Sequence, residues 1–302
     1  MTIPPQQANI AAIVVLYAPP PTLQEALQKL AKQVQWVIIV DNGANEAHKA
    51  SLKLPASQFS WLSNPENGLA KAQNMGIRHA QEKGADWLLL MDDDSNPAED
   101  MIAGMLRGWN LLAKKEQSRL GIFGAHIEEI NLPRPALYIQ ALGKFGFRRV
   151  GFTKSPLLKN LFYVCASGSL IPMRAIQQCG MMREDFGIYF IDTEFCLRLR
   201  KQGFEVATAA YGKLTHRIGQ RSNHRLAGVT ISTTNHAPKS RYLMFRNRRV
   251  LWWEYARYEP GYVLFDLLRA MSEILRVTLF EPQKYEKLRA MFCGLCGFSY
   301  KV

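Results

Sequence analysis

Residues 87–97 read WLLLMDDDSNP, an unbroken apolar run that passes directly into three consecutive aspartates. A short apolar run ended by Asp, Ser, Asn and Pro predicts a strand over 87–91 buried on both faces, as a parallel sheet requires. Upstream, 10–16 (IAAIVVL) and 36–40 (WVIIV) have the same character. Between them Thr22 and Glu25 have the spacing of a capping box, which predicts a helix running to about Gln33. A second helix is expected from about Asn67 to Gly84. Buried strands alternating with helices make βαβ units, hence an α/β protein with a Rossmann-like, mostly parallel sheet covered on both faces. Ligands bind such sheets beyond the carboxyl ends of the strands, and those ends hold Tyr17, Asp41 with Asn42, and Asp92 to Asp94.

The acids are out of keeping with the rest of the chain. The segment 86–100 has six carboxylates and no base, whereas the 302 residues carry 38 Lys and Arg against 25 Asp and Glu, a formal charge of +13. Adjacent carboxylates at a buried strand end repel and lose hydration, costing several kcal/mol (~) unless a cation neutralises them or their pKa values rise. Hard oxygen donors suit Mg2+ or Mn2+, which keep positions open for phosphate oxygens. A helix N-cap before Pro97 accounts for Asp94 or Ser95 but not for Asp92 and Asp93.

With 48% hydrophobic and 21% charged residues the chain folds around a core, which excludes a disordered chain, a collagen-like repeat or a coiled-coil rod. The positive charge suits anionic partners, and nucleic acid is set aside because no zinc finger, RNA-recognition or helix-turn-helix pattern is present. Five scattered cysteines, with no signal-peptide pattern before the first apolar run, predict a reducing cytoplasmic setting and no structural disulfide. Cys293 and Cys296 read as neighbours on one helix face rather than half a zinc site.

Further along, Asp192 opens a short helix closed by Gly203, 205–211 is a late strand, and 217–240 is expected to be a mobile loop. From residue 239 onward the pattern is helical, with twelve basic and six acidic residues. Over 262–280 the polar residues Asp266, Arg269, Glu273 and Arg276 form one stripe and the remaining arc is apolar. Such a helix does not span a membrane. Two readings stay open: a helix laid on an anionic membrane surface, or a subdomain packed on the sheet or on a second chain as a homo-oligomer. The domain boundary is placed between 238 and 239.

Taken together, VIIVDNGA (37–44), NPENGLAKAQNMGIRHA (64–80), LLLMDDDS (88–95), SGSLIPM (167–173), YFIDTEFCLRLRKQGF (189–204), HRIG (216–219) and RYLMFRNRRVL (241–251) resemble, in content and order, the inverting family 2 glycosyltransferases of GT-A fold, nearest their rhamnosyltransferase and galactofuranosyltransferase branch. The resemblance implies a nucleotide-diphosphate-sugar donor whose pyrimidine contacts Asp41, although an Asx-turn at 41–43 is an alternative use of that side chain. It implies that Asn67, Gly68, Lys71 and Asn74 face the diphosphate, or else serve as a helix cap and a solvated lysine. Asp92, Asp94 and His216 would hold Mn2+ or Mg2+, with Asp93 and Tyr17 beside the donor. His216 also has the alternative of a structural histidine.

Asp192 aligns with the general base that deprotonates the acceptor hydroxyl, although an N-cap with an acidic first turn explains the same residues. Where some relatives carry a second consecutive acid this chain has Thr193, which leaves Glu194 as the nearest substitute. A Q-x-x-R-W motif is absent, which favours adding one or a few sugars over polymer extrusion. The implied activity is transfer of L-rhamnose from dTDP-rhamnose, or galactofuranose from UDP-galactofuranose, to a glycan or lipid-linked glycan acceptor in bacterial surface polysaccharide synthesis, at the inner face of the cytoplasmic membrane. Two competitors remain. One is a haloacid dehalogenase-like phosphatase with Asp92 as nucleophile, for which a downstream acidic pair is missing, and the other is a basic membrane-surface adaptor without catalysis.

Overall fold

The computed structural model describes residues 9–43, 49, 52, 54–55, 57–129, 137–216, 222–226 and 229–300. In chain order the elements are β1 (Ile10–Leu16), α1 (Leu23–Ala31), β2 (Trp36–Asp41), β3 (Phe59–Ser63), α2 (Leu69–Glu82), β4 (Trp87–Asp92), β5 (Asn96–Pro97), α3 (Met101–Trp109), α4 (Lys114–Gln117), β6 (Leu120–Glu129), β7 (Tyr138–Leu142), β8 (Gly146–Val150), β9 (Leu157–Leu158) and β10 (Ser169–Pro172). They continue with α5 (Met173–Cys179), α6 (Ile191–Lys201), β11 (Glu205–His216), β12 (Ser222–Leu226), β13 (Val229–Thr233), α7 (Pro238–Tyr255), α8 (Pro260–Phe280) and α9 (Lys284–Cys296).

Among the described residues one nine-stranded sheet has the order β3-β2-β1-β4-β10-β6-β11-β5, with β9 also on β11. The first four strands run parallel, β10 is antiparallel to both its neighbours, and β6 and β11 are parallel. Side chains alternate between the faces of a strand. Accordingly Ile10, Ala12, Val14 and Leu16 meet Leu23, Leu27 and Leu30 of α1 and Met101, Met105 and Trp109 of α3 in one core. Ile13 points to the other face against α2, where a Cβ on Gly76 would stand 2.3 Å from Ile13 Cγ2. Only glycine lets this helix approach so closely. The fold is therefore the GT-A architecture, an α/β sheet with helices on both faces.

Several local expectations need correcting. Thr22 precedes α1 in a helical conformation with no side-chain cap, and Glu25 instead pairs with Lys29 at 2.7 Å, so there is no capping box. The segment expected to be a loop contains the antiparallel hairpin β12–β13 and the start of α7. Of that segment, 217–221 and 227–228 lie outside the described residues. The late strand continues past Tyr211 to His216.

The chain divides into two compact units. The first comprises Met1–Gln140, Arg148–Gly187 and Ile191–Arg217, and the second Ala141–Phe147, Ile188–Phe190 and Ile218–Val302. Within the second unit the polar stripe of α8 turns inward. Asp266 is 1% exposed and meets Arg248 of α7 at 3.2 Å and the Trp252 indole N–H at 2.9 Å. Glu273 accepts from Arg248 at 2.6 Å and pairs with Arg241, which also reaches Glu281 at 2.5 Å, and Lys287 of α9 closes the network on Glu281 at 2.9 Å.

Desolvation pushes Glu273 and Glu281 upward, but their cationic partners outweigh it and hold both below the ordinary carboxylate value of 4.5. Carboxylates with depressed pKa values stabilise the fold above the unfolded value and lose that contribution as pH falls through the folded value. The expected outcome in an acid titration of thermal stability is a steep loss below pH 4.5. Glu273→Gln should be destabilised by about 3 kcal/mol at pH 7, with its deficit narrowing as the pH falls.

Candidate active site

Strand register gathers the acids. β1 lies between β2 and β4, pairing Leu16 with Asp41 on one side and Val15 with Asp92 on the other. Because β2 and β3 follow to one side while β4 lies to the other, the crevice at the end of β1 is the topological switch point of the sheet. Tyr17, 65% exposed, stands at its mouth. Oδ2 of Asp93 accepts the backbone N–H groups of Tyr17 and Ala18 at 2.8 and 3.0 Å, tying the end of β1 to the end of β4. Desolvation raises the Asp93 carboxyl above its usual range, opposed by those two amides and reinforced by Asp94.

The turn after β4 rests on a serine of the SGSLIPM motif. Ser167 Oγ accepts the Asp92 N–H at 3.0 Å and lies 2.7 Å from Ser95 Oγ. Gly168 beside it has φ +78°, and a Cβ there would stand 2.8 Å from Leu214 Cδ2 and 2.9 Å from the Ala125 Cβ, so this position needs glycine twice over. Asp92 and Asp93 are half-buried and Asp94 is exposed.

Beyond β2, Asp41 is buried and its Oδ1 meets no hydrogen-bond donor among the described residues. Oδ1 of neighbouring Asn64 is in the same condition. Asn42 acts as a spacer, its Oδ1 accepting from Asn64 Nδ2 and from the Gly68 N–H, each at 2.7 Å. Two neighbouring buried acceptors thus lack donors among the described residues, a cost that a ligand N–H or a water would relieve.

Asp192 lies in the first turn of α6, half-buried, with Oδ1 accepting the Thr193 N–H at 2.7 Å. The Cys165 thiol relates it to the strand ends. Desolvation raises that thiol well above its ordinary value, and the negative charges of Asp192, Asp92 and Asp94 push it further. Carboxylates from the start of α6 and from the end of β4 thus act on one thiol. Within the second unit the residues preceding α6 are strained, Tyr189 and Phe190 both being left-handed (φ 67° and 63°). Asn247 Nδ2 donates to the carbonyls of Ile188 and Tyr189 at 3.0 and 2.9 Å. Sequence reading assigned Asn247 no role, and a buried asparagine inside an arginine-rich helix was the available signal.

Among the described residues no group of three His, Cys, Asp or Glu side chains is gathered for a metal ion. His216 ends β11, but its side chain lies outside the described residues, as do 217–219 of its motif. Asp92 and Asp94 nevertheless present hard oxygens, the donor set suited to Mg2+ or Mn2+ when phosphate oxygens and water complete the coordination.

The family described as Glycosyl transferase family 2 matches residues 11–114, the stretch that carries β1 to β4 and the acidic turn. A dTDP-rhamnosyl transferase, RfbF, from Shigella flexneri is 29% identical over 287 residues, covering 94% of this chain and 92% of its own. Residues 11–114 of this chain are a family 2 glycosyltransferase domain. In structure it is similar to S. aureus TarS 1-349 in complex with UDP-GlcNAc, with a TM-score of 0.61 at 12% identity over 95% of this chain and 81% of that one. GalNAc-T7 with UDP, GalNAc and Mn2+ gives 0.59 at 15% identity over 81% of this chain, which spans about half (47%) of that protein. These likenesses carry the fold.

In this glycosyltransferase some of the expected donor contacts have other tasks. Asn74 is buried and uses its amide on Met182, donating to its carbonyl and accepting its N–H at 2.8 Å each, and on Glu184 at 2.8 Å. It fixes α2 to the segment before α6. Gly68 has committed its N–H to Asn42, and Lys71 is paired with Glu66. Asn67, left-handed at φ 49°, stays at the pocket edge beside Gly43.

Glu194 has a structural partner. Buried, it grips Arg198 with both oxygens (3.1 and 2.9 Å), and Arg198 binds the carbonyls of Cys179 and Met181. Glu194→Ala should cost about 3 kcal/mol in chemical denaturation, because it strands a largely buried guanidinium. Turnover per folded molecule should stay within about twofold, since the pair is structural.

Proposed function

We propose that this glycosyltransferase moves L-rhamnose from dTDP-rhamnose to a glycan acceptor, lipid-linked and destined for a bacterial surface polysaccharide, with inversion at the anomeric carbon. The observation that carries the reading is the register that sets Asp41 and Asp92 at neighbouring strand ends on either side of β1, with the donor-less buried oxygens of Asp41 and Asn64 beside them. The choice of donor is supported by the dTDP-rhamnosyl transferase to which the chain is similar over nearly its whole length.

The thymine N–H donates to Asp41 Oδ1, which has the buried, donor-less oxygen such a contact needs. The diphosphate extends over the end of β4, and Lys71 exchanges Glu66 for it. Asp92 and Asp94 would hold Mn2+ or Mg2+ there, with His216 added on the strength of its motif, and the ion when bound would neutralise charge growing on the leaving diphosphate. Asp192 takes the proton of the acceptor hydroxyl. That oxygen forms the new bond to the anomeric carbon from the face opposite the nucleotide, and the bond to the diphosphate oxygen breaks with its electron pair staying on that oxygen. A carboxylate held at the start of a helix is a group type that serves general-base catalysis.

Three measurements test this. In a panel of nucleotide sugars with manganese present, dTDP-rhamnose should give the largest rise in unfolding temperature; equal shifts from every donor would reject the assignment. Asp192→Asn should bind donor normally while kcat falls roughly 10^2- to 10^4-fold, and near-normal turnover would remove it as the base. Asp94→Ala should lose the manganese-dependent part of donor affinity in calorimetry, and unchanged binding with and without the ion would contradict its place in the site.

A further inference from the structure

The inward stripe of α8 leaves the opposite side of that helix bare. Leu264, Leu267, Leu268, Met271, Leu275 and Leu279 are all exposed, Met271 at 66% and Leu275 at 58%. At 100° per residue they occupy an arc of about 120°, and over the fifteen steps from Leu264 to Leu279 they make a ridge about 22 Å long. An apolar strip of that size on a charged chain is a contact surface.

Charge tells what covers it. The acids of α8, Asp266 and Glu273, are both consumed inside by Arg248 and Arg241, so none remains beside the ridge. Arg269 and Arg276 are exposed and lie along one flank. Outside the buried network, residues 239–300 carry eight lysines and arginines against three glutamates, an excess of five. A second copy laid along the ridge would set arginine against arginine with no carboxylate on either helix to answer it. Anionic phospholipid supplies the missing charge, and aliphatic side chains between basic flanks are what an in-plane interfacial helix needs. Trp253 and Tyr285, 89% and 79% exposed in the same unit, are residue types that favour the headgroup level. Among the described residues no helix is long and apolar enough to cross a membrane.

We infer that α8 docks in the plane of a bilayer rich in anionic phospholipid, with the ridge from Leu264 to Leu279 in the acyl boundary and Arg269 and Arg276 at the headgroups. The inference does not depend on the donor or the base proposed above, and it adds to that reading where a lipid-linked acceptor would be met.

The test is co-sedimentation of the full chain with vesicles of phosphatidylcholine alone or with roughly 30% phosphatidylglycerol, at low and high salt, beside light scattering for the oligomeric state and transfer to a soluble acceptor. The chain should sediment with the anionic vesicles only and be released by salt. The triple variant Leu268→Gln, Met271→Gln, Leu275→Gln should bind at least about tenfold more weakly with unchanged unfolding temperature and soluble-acceptor transfer. Removing Arg269 or Arg276 as Gln should cost about fivefold each at low salt. Failure to bind anionic vesicles would overturn the inference. So would equal binding to neutral ones, or a dimer that the triple variant converts to monomer. Loss of soluble-acceptor transfer in a variant that still folds would also count against it, by making the ridge part of the catalytic machinery. Failure of the function proposed above would appear instead in wild-type transfer, with docking intact.

Discussion

Two backbone amides, those of Tyr17 and Ala18, close on a single oxygen of Asp93, and the donor crevice depends on that clamp. A parallel sheet fixes its strands only as far as their last paired residue, and the chain beyond is free to wander unless something holds it. The clamp holds the departure of β1 against the end of β4. The register that sets Asp41 beside Leu16 and Asp92 beside Val15 then becomes a site geometry, not merely a sheet geometry. Ser167 does the same for the outgoing turn by taking the Asp92 amide.

This changes the argument for the aspartate triplet. From sequence, three adjacent carboxylates at a buried strand end seemed to require a doubly charged ion. In the structure the middle carboxylate is solvated by protein amides, and the third is exposed to water. The amides offset part of that cost, and burial with Asp94 still holds Asp93 above its ordinary value. The proposal of Mn2+ or Mg2+ also draws on the hard oxygens that Asp92 and Asp94 present.

What sequence could and could not reveal follows from the range of the forces involved. β1, β2 and β4 were legible nearly to the residue, because a strand buried on both faces must be apolar throughout. Asp41 and the triplet were legible as strand ends. Asn74 was not, since its partner Met182 lies 108 positions away and nothing near Asn74 records that distance. Glu194 looked like a spare acid because its i+4 partner Arg198 could equally have been a solvated cation; burial decided the matter. For α8 periodicity found two faces and left open what covers the apolar one. Part of that arc, Ala270 and Val277, packs on Phe245 and Met291, while the polar stripe turns inward because α7 presents Arg241 and Arg248.

That interior has a consequence for how the helices can change over time. A greasy contact tolerates a swap at one position and a small slide along the axis, because any methylene can replace another. Paired charges sealed from water tolerate neither, since losing Arg248 alone would abandon Asp266 and half of Glu273 together. Substitutions in α7, α8 and α9 must therefore arrive in matched sets, and the three helices should drift through descendants as one linked block, each keeping its neighbours in step.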